Sequence, residues 1–155
     1  MNTVYSKILF GVFCFGIGAM TYAAEKPVPR TELPAAVQKT ADEQSKGAVV
    51  NRYVKDNEDG QLEYEVEMTV NGHSKDVAIA PDGRLLEVEE QVEVNQLPPA
   101  VRQGLKDRAG KGTITKIESI TKKGKIVAYE AQVRTNGRHS EIQVGPNGQP
   151  LSHEE

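Results

Sequence analysis

The chain has 155 residues, of which 37% are hydrophobic and 26% charged, and its formal net charge at pH 7 is −3. This is the composition of an ordinary globular protein. A single cysteine excludes a fold held together by internal disulfides.

The first two dozen residues predict a secretory signal peptide. Lys7 precedes the apolar run ILFGVFCFGIGA over 8–19, and small residues follow before the charged Glu25. This pattern is typical of an export signal, and the run is too short to span a bilayer comfortably. We place cleavage after Ala23, with cleavage after Ala24 or a retained anchor as alternatives. Cys14 lies within this segment, so the mature chain has no thiol for catalysis or metal binding.

The rest of the chain carries the same turn signals twice. Asn71-Gly72 recurs 65 residues later as Asn136-Gly137, and the Pro-Asp-Gly of 81–83 recurs at the same spacing as the Pro-Asn-Gly of 146–148. The pattern predicts an internal duplication. We divide the mature chain into a linker over 24–32, an acidic repeat over 33–94 and a basic repeat over 97–155.

Each repeat opens with a predicted helix of about three turns. The segments LPAAVQKTADEQSKG (33–47) and LPPAVRQGLKDRAGKG (97–112) both begin with X-Pro and end at glycine. The expected apolar stripe consists of Ala36, Val37 and Ala41 in the first helix and Ala100, Val101 and Leu105 in the second.

Alternating strands joined by Asn-Gly follow each helix. Asn-Gly between two alternating runs is the strongest short hairpin signal, because both turn residues need positive φ. Taking Asn-Gly and Asp82-Gly83 as two-residue loops pairs apolar residues with apolar residues throughout. The predicted pairs are Tyr64–Ile79, Val66–Val77, Val77–Val88, Ile79–Leu86, Tyr129–Val144 and Ala131–Ile142. The predicted fold is α+β, with two tandem repeats that each pack a helix on a four-stranded antiparallel meander.

The segments YEVEMTVNGHSKDVAIAPDGRLL and YEAQVRTNGRHSEIQVGPNGQPL resemble the PepSY-like family, also described as beta-lactamase-inhibitor-like. The resemblance covers nearly all of 33–151, in two copies. It implies an exported, non-catalytic protein built of helix plus antiparallel sheet, which acts by binding or inhibition. The family supplies no catalytic motif to transfer to this sequence.

The open face of the first predicted sheet carries many carboxylates. The registers place Glu67 opposite Asp76 and Asp76 opposite Glu89, and such like-charge pairs repel. This surface is interpreted as a solvated acidic face, as an attachment face for a basic partner, or as a divalent-cation site. If the row is real, at least one carboxyl pKa is raised, and stability falls as pH rises near 4 to 5. The candidate binding residues are Glu65, Glu67, Asp76, Glu87 and Glu89.

The two repeats differ in charge. Residues 33–94 hold 14 acidic and 6 basic side chains, whereas 97–155 hold 6 acidic and 10 basic ones. This asymmetry favours docking between the repeats or steering of partners. Lys122, Lys123 and Lys125 are interpreted as a solvated turn, and no aromatic residues interleave with them as in nucleic-acid binding.

The sequence therefore predicts an exported binding protein, periplasmic or secreted, that is not an enzyme and needs no metal or other cofactor. The expected partner is another exported or envelope protein and not nucleic acid. Inhibition of an exported enzyme is one form that this binding is expected to take. Membrane contact is expected only through the signal peptide before cleavage. The alternative is a sensor or structural protein that responds to cations or envelope polymers through the same carboxylates.

Overall fold

The computed structural model describes residues 26–58, 60–153 and 155, so the predicted signal peptide lies outside the described residues. The helices are α1 (Ala35–Gln44) and α2 (Pro99–Ala109). The strands are β1 (Lys26–Val28), β2 (Val49–Glu58), β3 (Gln61–Val70), β4 (His73–Ile79), β5 (Leu85–Gln91), β6 (Thr113–Lys122), β7 (Lys125–Thr135) and β8 (Arg138–Val144).

All eight strands form one antiparallel sheet in which each strand lies beside the next in chain order. The α+β class is therefore confirmed. We call α1 with β2–β5 the first half and α2 with β6–β8 the second half. Strand β5 pairs with β6 from Glu87–Lys122 to Gln91–Glu118, and this ladder joins the halves into a continuous sheet. Both helices pack on the same face, and we call the opposite one the polar face.

The two ends of the sheet differ from the predicted arrangement of four strands in each repeat. Residues 26–28, interpreted as part of a linker, form β1 and pair with Tyr53–Lys55 of β2. Among the described residues after β8, a single bridge between Val144 and Pro150 continues the pattern. Proline has no N–H to donate to a ladder, so the segment after β8 does not extend into a fourth strand.

The two Asn-Gly hairpins have the predicted geometry. Asn71 and Gly72 have φ of 52° and 87°, and Asn136 and Gly137 have φ of 52° and 80°. A two-residue turn with both φ values positive fixes the register of the strands that it joins. The pairs Val66–Val77, Tyr64–Ile79, Val77–Val88, Ala131–Ile142 and Tyr129–Val144 are all confirmed.

The predicted register is wrong next to Asp82-Gly83. Ile79 pairs with Leu85 and not with Leu86, because a register shift follows Ala78. The turn is closed by hydrogen bonds from Gly83 N–H to the Ala80 carbonyl (2.8 Å) and from Ala80 N–H to the Arg84 carbonyl (2.9 Å). A loop longer than two residues therefore connects these strands, and the first pair beyond it shifts by one position.

Each helix covers its own apolar cluster. Tyr64 packs with Val37 and Ala41 in the first half, and Tyr129 packs with Val101 and Leu105 in the second. The tyrosines are 7% and 8% exposed, as the predicted registers require.

The predicted helix stripe was too wide by one residue. Ala36 and Ala100 are exposed, although their backbones lie against the turns at Gly83 and Gly148. The buried stripe is therefore the i, i+4 pair in each helix, which lies one above the other on a single helix face.

Candidate functional site

The predicted row of acidic residues exists on the polar face. Glu67 on β3 lies opposite Asp76 on β4, and Asp76 lies opposite Glu89 on β5. Strand alternation places all three side chains on the face away from α1. We call Glu67, Asp76 and Glu89 the acidic row.

The second half adds carboxylates that the sequence analysis missed. Because β6 pairs with β5, Glu118 reaches the acidic row, and Glu130 on β7 lies directly opposite Glu118. Carboxylate oxygens of Asp76, Glu89 and Glu118 all lie within 4.8 Å of one another. We call these three residues the carboxylate cluster. Although the second half is basic overall, it contributes two acidic side chains at this position.

The polar face is not the solvated surface that was expected. Glu67 is 8% exposed and Glu118 is 3% exposed, while Asp76 and Glu89 are partly buried. Long neighbouring side chains on a continuous sheet exclude water from one another, which a separate four-stranded sheet would do less well. Burial makes each negative charge costly unless a cation or a proton compensates it.

Three cations compensate part of this charge. Arg52 Nε lies 2.5 Å from Glu67 Oε1, and Lys116 Nζ lies 2.5 Å from Glu118 Oε1. Lys122 Nζ lies 3.1 Å from Glu87 Oε2 across the seam between β5 and β6. Ser74 adds a hydroxyl that donates to Glu118 Oε1 at 3.1 Å.

A proton compensates another part. Burial, a hydrogen bond donated to Glu87, and the negative charges of Glu130 and Glu118 raise the pKa of Glu89 to about 10. The expected rise in a carboxyl pKa is thus confirmed in direction. Stability was expected to fall with rising pH only near pH 4 to 5, and this range was too narrow. The largest cause of the raised pKa of Glu89 is burial and not repulsion within the acidic row, so the fall extends to higher pH. Glu89 is a neutral acid at pH 7.

The lysine turn differs in part from its interpretation as solvated. Lys123 and Lys125 are exposed, but Lys122 is partly buried and contacts Glu87. Burial lowers the pKa of Lys122, yet the charges of Glu87 and of Glu155 outweigh this and raise it above its ordinary value. Lys122 is therefore a firmly charged member of the polar face.

The five predicted binding residues do not form one compact group. Asp76 and Glu89 belong to the carboxylate cluster. Glu87 is hydrogen-bonded to Glu89 and forms an ion pair with Lys122. Glu67 extends the row and is held by Arg52. Glu65 lies opposite Ala78, one side-chain position along the strands from the acidic row.

The arrangement can recognise a cationic group. A lysine, arginine or metal ion placed between Asp76, Glu89 and Glu118 would meet three oxygens close enough to contact it together. Calcium binds oxygen ligands at about 2.3–2.6 Å. Two oxygens on one calcium ion can therefore be up to about 5 Å apart, and the carboxylate oxygens of the cluster, within 4.8 Å of one another, meet this condition. A sheet offers these ligands from one side only, which suits a side chain from a partner better than an enclosed ion.

Comparisons with known proteins identify the fold but no family. No protein-family profile and no curated protein matches the chain. A BLIP-like protein from Bacteroides fragilis has 17% sequence identity and a TM-score of 0.58, and the match covers 83% of this chain and 86% of that protein. A DUF2874 family protein from Bacteroides ovatus has 18% identity and a TM-score of 0.59, with 77% and 85% covered.

A third solved structure, an inferred periplasmic protein from Bacteroides eggerthii, has 16% identity and a TM-score of 0.62, with 77% of this chain and 86% of that one covered. These similarities confirm a BLIP-like fold. Within the described residues, neither helix is long and apolar enough to cross a membrane.

Proposed function

We propose that the protein is an exported, non-catalytic binding module whose polar face captures a basic segment of another exported protein. The main support for this proposal is that the carboxylates of Asp76, Glu89 and Glu118 lie close together, although they come from three strands and from both halves of the sheet. The predicted signal peptide supports export, and the description of the B. eggerthii structure makes the periplasm the proposed compartment. The BLIP-like name of the B. fragilis protein makes inhibition of an exported enzyme the form of binding that we propose to test first.

The polar face of the protein without a partner holds negative charge in an unfavourable, buried environment. Buried like charges cost free energy, and in the free protein a proton on Glu89 reduces that cost. A basic side chain from a partner would replace this proton and pair with the carboxylates. Binding should therefore release a proton, strengthen as pH rises from 6 to 9, and weaken with salt.

We also propose that the two halves arose as tandem copies of one helix-plus-sheet unit. The support is local and specific: a bulge interrupts β2 after Val50 and β6 after Ile114, at matching places in the repeat. The Asn-Gly turns and the buried tyrosines match as well.

The test is capture of a partner from an envelope extract by the mature chain and by two variants, Asp76→Asn and Glu118→Gln. Both variants should retain several-fold less of the same protein than the wild type does, and added salt should reduce capture by the wild type. Glu43→Gln is the matched control, because Glu43 is an exposed acid on α1 and far from the polar face. Equal capture by all four chains would show that the carboxylates do not bind the partner.

If a partner is captured and it is an enzyme, its activity is then assayed with increasing amounts of the wild-type chain. Inhibition that saturates at the stoichiometry of capture is expected. Full enzyme activity in the complex would limit the function to binding without inhibition.

The carboxylate cluster favours one second candidate, a sensor that responds to a divalent cation. Millimolar calcium should then raise the melting temperature of the wild type more than that of Asp76→Asn, because only the bound, folded state gains free energy. An equal rise for both chains would count against this candidate. Sodium chloride at matched ionic strength controls for general screening.

A further inference from the structure

The segment after β8 returns over the polar face. Its described residues are Leu151–His153 and Glu155, which we call the strap. The N–H of Glu155 donates to Gln143 Oε1 at 2.9 Å, and Glu155 Oε2 lies 3.6 Å from Lys122 Nζ. Gln143 belongs to β8 and Lys122 to β6, so Glu155 bridges two strands that are not neighbours.

This bridge places the strap across β7. The Gln143 side chain faces Glu130 and the Lys122 side chain faces Glu87, and both of these acids lie on the polar face. Between those positions the polar face carries Ile120 and Ala128, a directly opposed pair on β6 and β7. Both residues are buried although they point away from α2. An apolar pair on a polar face stays dry only where other groups exclude water from it.

The strap is held by contacts that a competitor could replace. The Lys122 and Glu155 side chains are 34% and 26% exposed, so water still reaches this ion pair and reduces the free energy that it contributes. Lys122 also has a second acidic partner in Glu87, so it would stay paired without the strap. Among the described residues, a hydrogen bond from the Glu155 N–H to Gln143 Oε1 also holds the strap. Release would expose the Ile120–Ala128 pair beside the carboxylate cluster, since Glu89 lies directly opposite Ile120.

We propose that the strap is a built-in competitor that covers the β6–β8 part of the polar face and leaves it when a partner binds. This inference rests on the proposed function, since it assumes that the polar face is the binding face. The partner would then place a basic group at the carboxylate cluster and an apolar group on Ile120 and Ala128. The strap would lower the affinity for weak or incomplete partners, because each must first displace it.

The position of the strap is tested without any partner. A nitroxide is attached through Ser152→Cys in the mature chain, which lacks Cys14, and paramagnetic broadening of backbone amide signals is measured by NMR. The amides of Ile120 and Ala128 should broaden strongly, and that of Val77 in the first half should not. Lys122→Gln combined with Gln143→Ala should reduce the broadening several-fold, while the exposed-lysine control Lys125→Gln should leave it unchanged. No selective broadening, or no loss in the double variant, would overturn the proposal.

Competition is tested with a chain that ends at Leu151, compared with the full chain in the capture assay. The shortened chain should retain several-fold more of the protein whose capture depends on Asp76. Equal retention by the two chains, with the strap in place by NMR, would overturn competition while leaving the proposed function intact. Loss of the Asp76 dependence would instead refute the proposed function, and the NMR result would stand by itself.

Discussion

The two helices contact the sheet turns in different ways, although they occupy matching places. In the first half, the Thr40 hydroxyl of α1 donates a hydrogen bond to the Gly83 carbonyl at 2.7 Å. In the second half, Gly104 stands at the matching position of α2, and a Cβ added there would lie 2.0 Å from the Gly148 carbonyl oxygen. In both halves the helix backbone lies against the turn, but the first half adds a side-chain hydrogen bond at this position, whereas the second has a glycine that lets the helix approach the turn more closely.

The comparison shows that the same helix–turn junction can be made by two kinds of contact. These contacts differ in how well they tolerate amino-acid substitution. A hydrogen bond can be lost at modest cost, because water can replace the hydroxyl at a partly exposed turn. A backbone contact leaves no room for even one methyl group, so it is more sensitive to substitution. Glycine within a helix costs about 1 kcal/mol relative to alanine. In α2, the close contact offsets that cost.

The largest expected effect concerns the core beneath each helix. Tyr64→Ala and Tyr129→Ala should each lower the free energy of unfolding by about 3–5 kcal/mol, because each removes a buried aromatic ring. Urea denaturation of both variants measures the change. Similar losses would show that the halves are equally dependent on their own clusters, whereas a loss below about 1 kcal/mol in one half would contradict a packed ring there.

The junction itself is tested by Gly104→Ala. The added methyl group should destabilise the protein by about 1–3 kcal/mol despite the better helix propensity of alanine, because it collides with the Gly148 carbonyl. Thermal and urea unfolding provide the measurement. Gln103→Ala, on the same helix but with its side chain exposed, should change stability little. A stabilised Gly104→Ala chain would show that α2 can move away from the turn freely.

The seam between the halves is tested by Glu89→Gln. Since the pKa of Glu89 is raised to about 10 by burial, by Glu87 and by Glu130 and Glu118 of the second half, the folded protein holds a proton that the unfolded chain releases above its ordinary pKa. The free energy of unfolding should therefore fall as pH rises from about 4.5 towards 10. Glu89→Gln should remove this slope and stabilise the protein at pH 7 by about 3 kcal/mol, because the wild type loses about 1.4 kcal/mol for each pH unit above the ordinary pKa of 4.5.

Urea denaturation at pH 5, 7 and 9 would show the two chains converging at low pH and separating at high pH. Glu43→Gln serves as the control for loss of one negative charge outside the polar face. Parallel pH profiles for the wild type and Glu89→Gln would mean that Glu89 is ionised in the folded protein.

The smallest effect is expected at the matching position of the first half. Thr40→Ala should lower the free energy of unfolding by about 0.5–1.5 kcal/mol, because it removes the hydrogen bond to Gly83. Thr40→Gly, which copies the second half, should cost more through helix propensity unless α1 moves closer to its turn. A milder effect of glycine than of alanine would show that the two junctions are interchangeable.

Local signals in the sequence were sufficient for the two Asn-Gly hairpins and for the presence of both helices. Strict alternation around Asn71-Gly72 and Asn136-Gly137 fixed which side chains share a face, and so placed Glu67 opposite Asp76. The register near Asp82-Gly83 was mistaken by one residue, since the Asp82 side chain accepts the Arg84 N–H and stabilises a longer loop. A pattern of two turn residues cannot distinguish these loops without their hydrogen bonds.

The ladder between β5 and β6 could not be predicted in the same way. No turn joins these strands, because a 3₁₀-helix (Val94–Gln96) and α2 intervene between Gln91 and Thr113. Their register depends on long-range packing and on pairs such as Glu87–Lys122, which have many alternatives in a charged sequence. The contribution of Glu118 and Glu130 to the candidate site follows only from this ladder, so the most buried part of the site was missed.

The order of strands in the sheet has a consequence for how the chain acquires its structure. Since every strand pairs with its neighbour in the sequence, each new ladder closes a hairpin-sized loop, except where a helix intervenes, between β1 and β2 and between β5 and β6. Short loops cost little entropy to close, and topologies rich in local contacts fold quickly for their size. A chain that emerges from a channel one segment at a time could thus add strands in order of arrival, with the two ladders that enclose a helix, β1–β2 and β5–β6, as the slow steps.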